Sequence, residues 1–337
     1  MNCKSLRSFV RLGTLALIVM ACTPTLRTAS TAPARDNLEW SAFHWVSATI
    51  AGKHFDKAAI LVPLTADTLG GTYWLQLDTG ADSDVWLYTA PLDQLLRRKG
   101  PARDTTRAFV IPSGSIGSYP LRNHAVNIRR VAGDSVRSDE PRPKIGTLGL
   151  NFFRNRVLLL DFPAQRFSIL DSAGILPTWI EQRASWANVD YRNEKMFLPL
   201  TLDGQTYRDF FYDSGASLFP ISTSKEIWQA ATGRTGTESD NMVWTVRSFG
   251  QNVTLVGAPA QGRASVASAM MDRPLVFYMA EGPEQLDMRT WGFPVSGLIG
   301  NVLFADRYLV VIDLPRRRFG LVEREEVAKS PEYVVKQ

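Results

Sequence analysis

Two stretches of the chain carry the same order of apolar and polar positions. Residues 60–81, ILVPLTADTLGGTYWLQLDTGA, and residues 196–216, MFLPLTLDGQTYRDFFYDSGA, share one layout. Each runs apolar-Pro-Leu-Thr, a polar turn containing glycine, Thr-Tyr, a second apolar run, and Asp-(Thr/Ser)-Gly-Ala. Short apolar or alternating runs on either side of a glycine-bearing turn predict a β-hairpin in each copy. A second matched pair follows: GTLGLNFFRNRVLLLDFPAQRFSIL at 146–170 and GLIGNVLFADRYLVVIDLPRRRFGLV at 297–322. Both pass through Gly-x-apolar-Gly or its close variant, a Phe, an Arg, a β-rich run, Asp-apolar-Pro and a closing Arg-Phe strand.

The same elements thus recur in the same order, with a longer insertion in the second copy, as expected of an internal duplication. The intervening runs are rich in Val, Leu, Ile, Phe and Tyr and are punctuated by Gly, Pro, Asn and Asp. Helical periodicity is scarce. One short helix is expected at 91–99, opened by Pro91. Another is expected at 223–231, with Thr223 or Ser224 as its N-cap. The expected fold class is all-β, with a few short helices, in two homologous β-barrel-like lobes with a cleft between them. The boundaries are a first lobe over 41–175 and a second over 176–337, connected around residues 171–190.

The N-terminus stands outside this pattern. Residues 1–21 carry Lys4, Arg7 and Arg11, no acid, and the apolar run from Leu12 to Met20. This is a secretory signal peptide, too short for a spanning helix. The ending Val19-Met20-Ala21-Cys22 resembles a bacterial lipobox, with Met20 as a departure, and Thr23 in place of Asp directs such a chain to the outer membrane. Cys22 is then the lipidated first residue of a bacterial envelope lipoprotein facing the periplasm; simple secretion is the other reading. Residues 22–40 form a lipidated cysteine and flexible tether rich in Thr, Ser, Ala and Pro.

Composition narrows the chemistry. The 337 residues are 45% apolar and 21% charged, enough for two cores. Loss of Lys4, Arg7 and Arg11 brings the formal charge of +5 to about +2, which gives no support for a nucleic-acid partner. Cys3 leaves with the signal and Cys22 is acylated, so no disulfide is expected. His44, His54 and His124 lack metal-type spacing, which argues against a zinc site or a Cys-His nucleophile. No phosphate-cradling loop and no G-x-S-x-G elbow is present. No cofactor and no metal is expected.

With two Asp-(Thr/Ser)-Gly-Ala motifs, each followed by an apolar-Gly segment, most of residues 55–322 resembles the pepsin/retropepsin-type aspartic peptidases, most closely at the two Asp and two Gly motifs. The resemblance implies a bilobal acid-protease fold in which Asp78 and Asp213 form a catalytic dyad. Two carboxylates so close cannot both ionise, so they share one proton. The ionised member activates a water and the protonated member binds the scissile carbonyl. By the same resemblance, Thr79 and Ser214 cross-link the two loops through their hydroxyls. Gly80 and Gly215 bring backbone amides to the carboxylates, and Gly149 and Gly300 pass beneath the loops where a side chain would clash. A plain turn role for Gly149 and Gly300 is the alternative. Leu75, Leu77, Phe211 and Tyr212 are expected to bury the strands behind the acids.

Some segments fit that pattern less closely. Residues 107–117 are the best candidate for a flap hairpin over the cleft; they lack the Tyr-Gly pair of the family, and Tyr119 is the nearest tyrosine. Asp82 and Asp84 are either surface and loop-capping acids or extra charges facing the dyad. PRRRF at 315–319 aligns with PAQRF at 163–167 and is expected as a solvated hairpin turn rather than a basic patch. The functional expectation is a monomeric aspartic endopeptidase acting on a peptide or protein, in contact with the membrane only through its N-terminal lipid. The alternative is a catalytically inactive peptide-binding or scaffold lipoprotein on the same fold.

Overall fold

The computed structural model describes residues 38–97, 108–130, 141–174, 176–248, 251–284 and 287–323. The expected signal peptide, Cys22 and nearly all of the expected tether lie outside the described residues, as do position 107 of the flap candidate and positions 98 and 99 of the first expected helix. Three sheets build the protein. A seven-stranded sheet runs, in spatial order, His44–Ile50, Lys53–Ala66, Gly71–Asp78, Lys144–Gly149, Val85–Tyr88, Tyr119–Arg129 and Ala108–Ile116. A second, ten-stranded sheet holds the strands from Asp190–Arg192 to Gly297–Ile299. The fold is mostly β with few short helices, as the alternation of apolar runs and turn residues predicts.

The duplication is visible strand by strand. The strand carrying the first Asp, Gly71–Asp78, pairs in parallel with Lys144–Gly149, which pairs antiparallel with Val85–Tyr88. In the second half Gln205–Tyr212 pairs in parallel with Gly297–Ile299, which pairs antiparallel with Ile221–Thr223. The entering strand comes close to its neighbour here because it carries no side chain of its own at the contact. Gly146 and Gly297 lie at the two contacts: a Cβ on either would lie 2.0 or 2.3 Å from a backbone carbonyl of the adjacent strand.

The third sheet belongs to both halves. Its order is Ser41–Ala42, Arg166–Asp171, Arg156–Asp161, Tyr308–Asp313, Arg318–Glu323, Ser185–Asn188. The expected boundary at 175 therefore does not separate independent sheets. At the centre Leu159 faces Val311. These are the same position in the two repeats, so the pseudo-two-fold axis runs through the middle of this strand pair. The symmetry extends outward. Asp161 accepts from Arg166 Nε (2.9 Å) and Asp313 accepts from Arg318 Nε (2.8 Å). The two guanidinium groups stack on Trp40 and Trp186 at 4.5 and 4.0 Å. Gln165 and Arg317 occupy the same turn position, both with φ of 51°.

Three expectations need correction here. The helices span Thr89–Arg97 and Lys225–Thr232, the latter capped by Ser224, whose Oγ accepts from Ile227 N–H at 3.3 Å. The connection at 171–190 contains a helix, Thr178–Arg183, and the edge strand Ser185–Asn188. PRRRF is a hairpin turn, but its Arg318 is not simply solvated: besides Asp313 it grips Glu181 of that helix with both terminal nitrogens. This pairing holds the Glu181 carboxyl below its ordinary range.

The flap candidate also differs. The strand Ala108–Ile116 and its partner Tyr119–Arg129 form a hairpin whose tip is tied into the lobe. Gly117 N–H donates to the Pro63 carbonyl (2.9 Å) and Ser118 N–H to Ser41 Oγ (2.7 Å). Tyr119 donates to Asp171 and accepts from Arg156 Nε, far from a cleft-covering role. The longer insertion of the second half forms the hairpin Met242–Ser248 with Gln251–Pro259 at the edge of the second sheet, the latter strand pairing with Leu275–Glu281. Its Trp244 packs edge-on against Phe55 of the first half at 5.1 Å, within an apolar cluster that includes Ile50, Val253 and Phe277.

Asp313 is fully buried, so its charge depends on its arginine partners. Replacing Arg318 by Met leaves only Arg316 beside it and frees the helix bearing Glu181. A destabilisation of about 3 kcal/mol is expected, as for a buried pair that loses one member. Urea unfolding measures it, and an unchanged midpoint would show that the shared sheet does not depend on this pair.

Candidate active site

Each of the two strands behind the site ends in a buried apolar pair that drives the following Asp to the lobe interface. Leu75, Leu77, Phe211 and Tyr212 are all buried. Asp78 is 8% exposed, and Asp213 is half-buried with an edge open to solvent. Each carboxyl lies against the glycine of the opposite Asp loop, close enough for the two acids to influence each other's ionisation.

The loops that present them are locked by a reciprocal exchange. Thr79 N–H donates to Ser214 Oγ and Ser214 N–H donates to Thr79 Oγ1, both at 2.9 Å. The hydroxyls pass the bonding on: Thr79 Oγ1 donates to the Tyr212 carbonyl and Ser214 Oγ to the Leu77 carbonyl, both at 3.0 Å. Both side chains are fully buried. Each hydroxyl thus donates one bond and accepts one, satisfying four backbone groups that would otherwise be stranded in the interior.

The glycines fix how closely the loops approach. A Cβ on Gly80 would lie 2.4 Å from Asp213 Cγ, and one on Gly215 would lie 2.5 Å from Asp78 Cγ. No side chain fits at either place. Gly149 and Gly300 are extended rather than turn glycines, with φ of −95° and −94°. A Cβ there would meet the Ser83 carbonyl oxygen or the Phe219 carbonyl oxygen at 2.4 Å. Their need for glycine is therefore close packing under the Asp loops.

Burial and mutual repulsion push Asp78 up from 3.8 to about 8, and Asp213 is also raised, mainly by burial. The backbone treats them unequally. Asp213 Oδ1 accepts from Gly215 N–H (2.8 Å) and Ala216 N–H (3.3 Å), whereas Asp78 Oδ1 accepts only from Ala81 N–H (3.0 Å). The extra donor favours the negative charge on Asp213 and the shared proton on Asp78, although titration belongs to the pair.

Asp82 and Asp84 do not join the pair. Asp82 is exposed, and Asp84 lies 3.3 Å from His124 Nε2. Two features were not foreseen from the sequence. Tyr212 donates to Asn301 Oδ1 at 2.5 Å, and Asn301 Nδ2 reaches the Ser214 carbonyl and Ser217 Oγ. This brace has a sequence signal, since the repeat places Leu150 opposite Asn301 and Leu77 opposite Tyr212. The other is Lys195, which is buried and whose Nζ donates to the Gly80 carbonyl at 2.6 Å. Among the described residues no group of three or more His, Cys, Asp or Glu side chains comes together to hold a metal.

Stability should report the shared proton. The folded pair keeps a proton that unfolded carboxyls release near 3.8, so the unfolded state binds fewer protons between that value and about 8. Stability is then highest below about pH 4 and falls as pH rises toward 8. Asp78→Asn, which has no such proton to lose, is expected to melt several degrees above the parent at pH 8 and close to it at pH 4. Equal melting differences at both pH values would contradict a buried, proton-sharing pair.

No family model matches the chain, and no curated protein matches it. Among solved structures it is similar to the aspartic proteinase from Irpex lacteus, at 11% sequence identity and a TM-score of 0.42. That likeness covers 79% of this chain and 94% of the other.

Proposed function

We propose that this protein is an aspartic endopeptidase. One observation carries the reading: two carboxyls, one buried and one half-buried, from equivalent positions of a duplicated chain come together at the pseudo-two-fold axis, with enough donors for one negative charge and one retained proton. In this mechanism the Asp213 carboxylate takes a proton from a water held between the acids, while protonated Asp78 hydrogen-bonds the scissile carbonyl oxygen. Water attacks, the oxygen gains negative charge, and Asp78 stabilises it. The proton held on Asp213 then passes to the leaving amine as the tetrahedral intermediate collapses. The glycines at 80 and 215 and the hydroxyls of Thr79 and Ser214 keep the carboxyls from separating. Rigid placement of this kind lowers the barrier through orientation.

Both acids come from one chain, so a monomer assembles the site and a peptide or protein segment is its substrate. The envelope placement belongs to the same proposal: export by residues 1–21 and lipidation at Cys22 leave the body tethered to a bacterial membrane. No described helix is long and apolar enough to cross a membrane. Palmitate labelling of cells that express the chain should mark the parent and not Cys22→Ala; equal labelling excludes Cys22 as the anchor.

The central test is cleavage of a mixed peptide library from pH 3 to 8. Asp78→Asn and Asp213→Asn should each lower the rate by roughly 1,000-fold, the scale of a lost general acid or base. A statine-type mimic of the tetrahedral intermediate should inhibit the parent. Either variant cleaving at the parental rate would sink the dyad mechanism. A folded parent that binds peptides and cleaves none would favour the binding or scaffold role instead.

A further inference from the structure

Lys195 opens the strand Lys195–Leu202 and is only 9% exposed. Its one hydrogen bond among the described residues is to the carbonyl of Gly80, at 2.6 Å. Gly80 is the residue whose missing side chain leaves room for the Asp213 carboxyl. The ammonium thus sits one peptide group from the acid pair, with the ring of Trp291 on another side at 5.6 Å. The duplication makes the placement one-sided. Lys195 lies four residues before Pro199, and the matching place four residues before Pro63 is Ala59.

Burying an ammonium with a single carbonyl acceptor is unfavourable unless a negative charge lies close by. The other charged groups on elements around the site are engaged elsewhere or, like Glu194 and Asp82, exposed to solvent. Arg192 pairs with Asp190 and Asp209, and Asp84 lies against His124. Lys144 lies over the Tyr88 ring, Tyr212 donates to Asn301, and Asp82 is exposed. What remains to balance Lys195 is the acid pair, and both of its members feel the lysine charge.

We propose that Lys195 is a positioning residue, a fixed cation that holds the Asp78–Asp213 pair in its singly ionised form and sets the pH window in which the pair works. The proposal rests on the pair acting as one acid–base unit. A cation a few ångströms away stabilises each added negative charge on the pair, so both of its ionisation steps occur at lower pH than they would without it. Removing the charge moves both steps upward. Changing the side chain while keeping its charge does not.

The test uses the purified full chain with Asp carboxyl carbons labelled for NMR titration, the dyad signals being assigned with Asp78→Asn and Asp213→Asn. Lys195→Met should raise both macroscopic steps of the pair by about one pH unit, within the range that a neighbouring charge produces. Lys195→Arg should restore them to near the parental values. A merely structural lysine would change melting temperature in both variants and leave the titration where it was, and that result overturns the proposal. Peptide cleavage separates this idea from the functional one. Where the parent is active, the acid and alkaline limbs of its pH profile should move up together in Lys195→Met. Shifted titration in a parent that cleaves nothing would uphold the lysine's role and defeat the peptidase assignment.

Discussion

The reciprocal hydroxyl exchange between Thr79 and Ser214 is the constraint on which the rest of the molecule depends. Two carboxyls repel each other once ionised and lose solvation when buried, so nothing in their own chemistry keeps them together. The exchange does so through the backbone, since each hydroxyl bridges an amide of its partner loop and a carbonyl further back along it. Those carbonyls belong to Leu77 and Tyr212, in the strands that enter the lobe cores. Separating the carboxyls would therefore pull two sheets apart, and a local repulsion is resisted by the packing of both halves.

Much of this could be read from the chain because the sequence repeats. A single Asp-Thr-Gly is an ordinary turn; a second copy with its own preceding hairpin and following glycine is a statement about symmetry. The buried strands and the positions of two short helices followed from local residue chemistry, whereas the close-packed glycines 149 and 300 were expected only through the family resemblance. Long-range partners were less legible. The sequence of 107–117 fits a hairpin, which it forms, but what its tip touches depends on Ser41 and Pro63, far away in sequence. Lys195 beside the turn at 193–194 has the local signature of a solvated charge, and only the fold places Gly80 against it. Arg318 is similar: its neighbours in sequence suggest solvent, while its partners Glu181 and Trp186 come from the connection between lobes.

Perfect two-fold symmetry would give two chemically equal acids, whereas water activation needs one base and one acid. Several differences between the halves fall at the site. Asp213 has one more amide donor than Asp78. Asn301 and Tyr212 brace the second loop at the Ser214 carbonyl, whereas Asn151 and Tyr191 hold the first at the Asp82 carbonyl. Lys195 places its cation on only one side. The long hairpin Met242–Ser248 with Gln251–Pro259 likewise belongs to the second half and leans on Phe55 of the first. Duplication built the frame, and departures from it distinguish the two carboxyls.

The central pairing of Arg156–Asp161 with Tyr308–Asp313 has a consequence for the history and handling of the chain. Because equivalent positions, Leu159 and Val311, face each other across it, either half presents an edge that is nearly complementary to itself. An isolated half could pair with a second copy of itself through the same antiparallel ladder and bring two identical Asp loops together. The same edge, apolar and unpaired when the halves are expressed apart, is a template for unwanted strand addition. Fusion into one polypeptide hides that edge for good, and it lets the two halves diverge without losing each other.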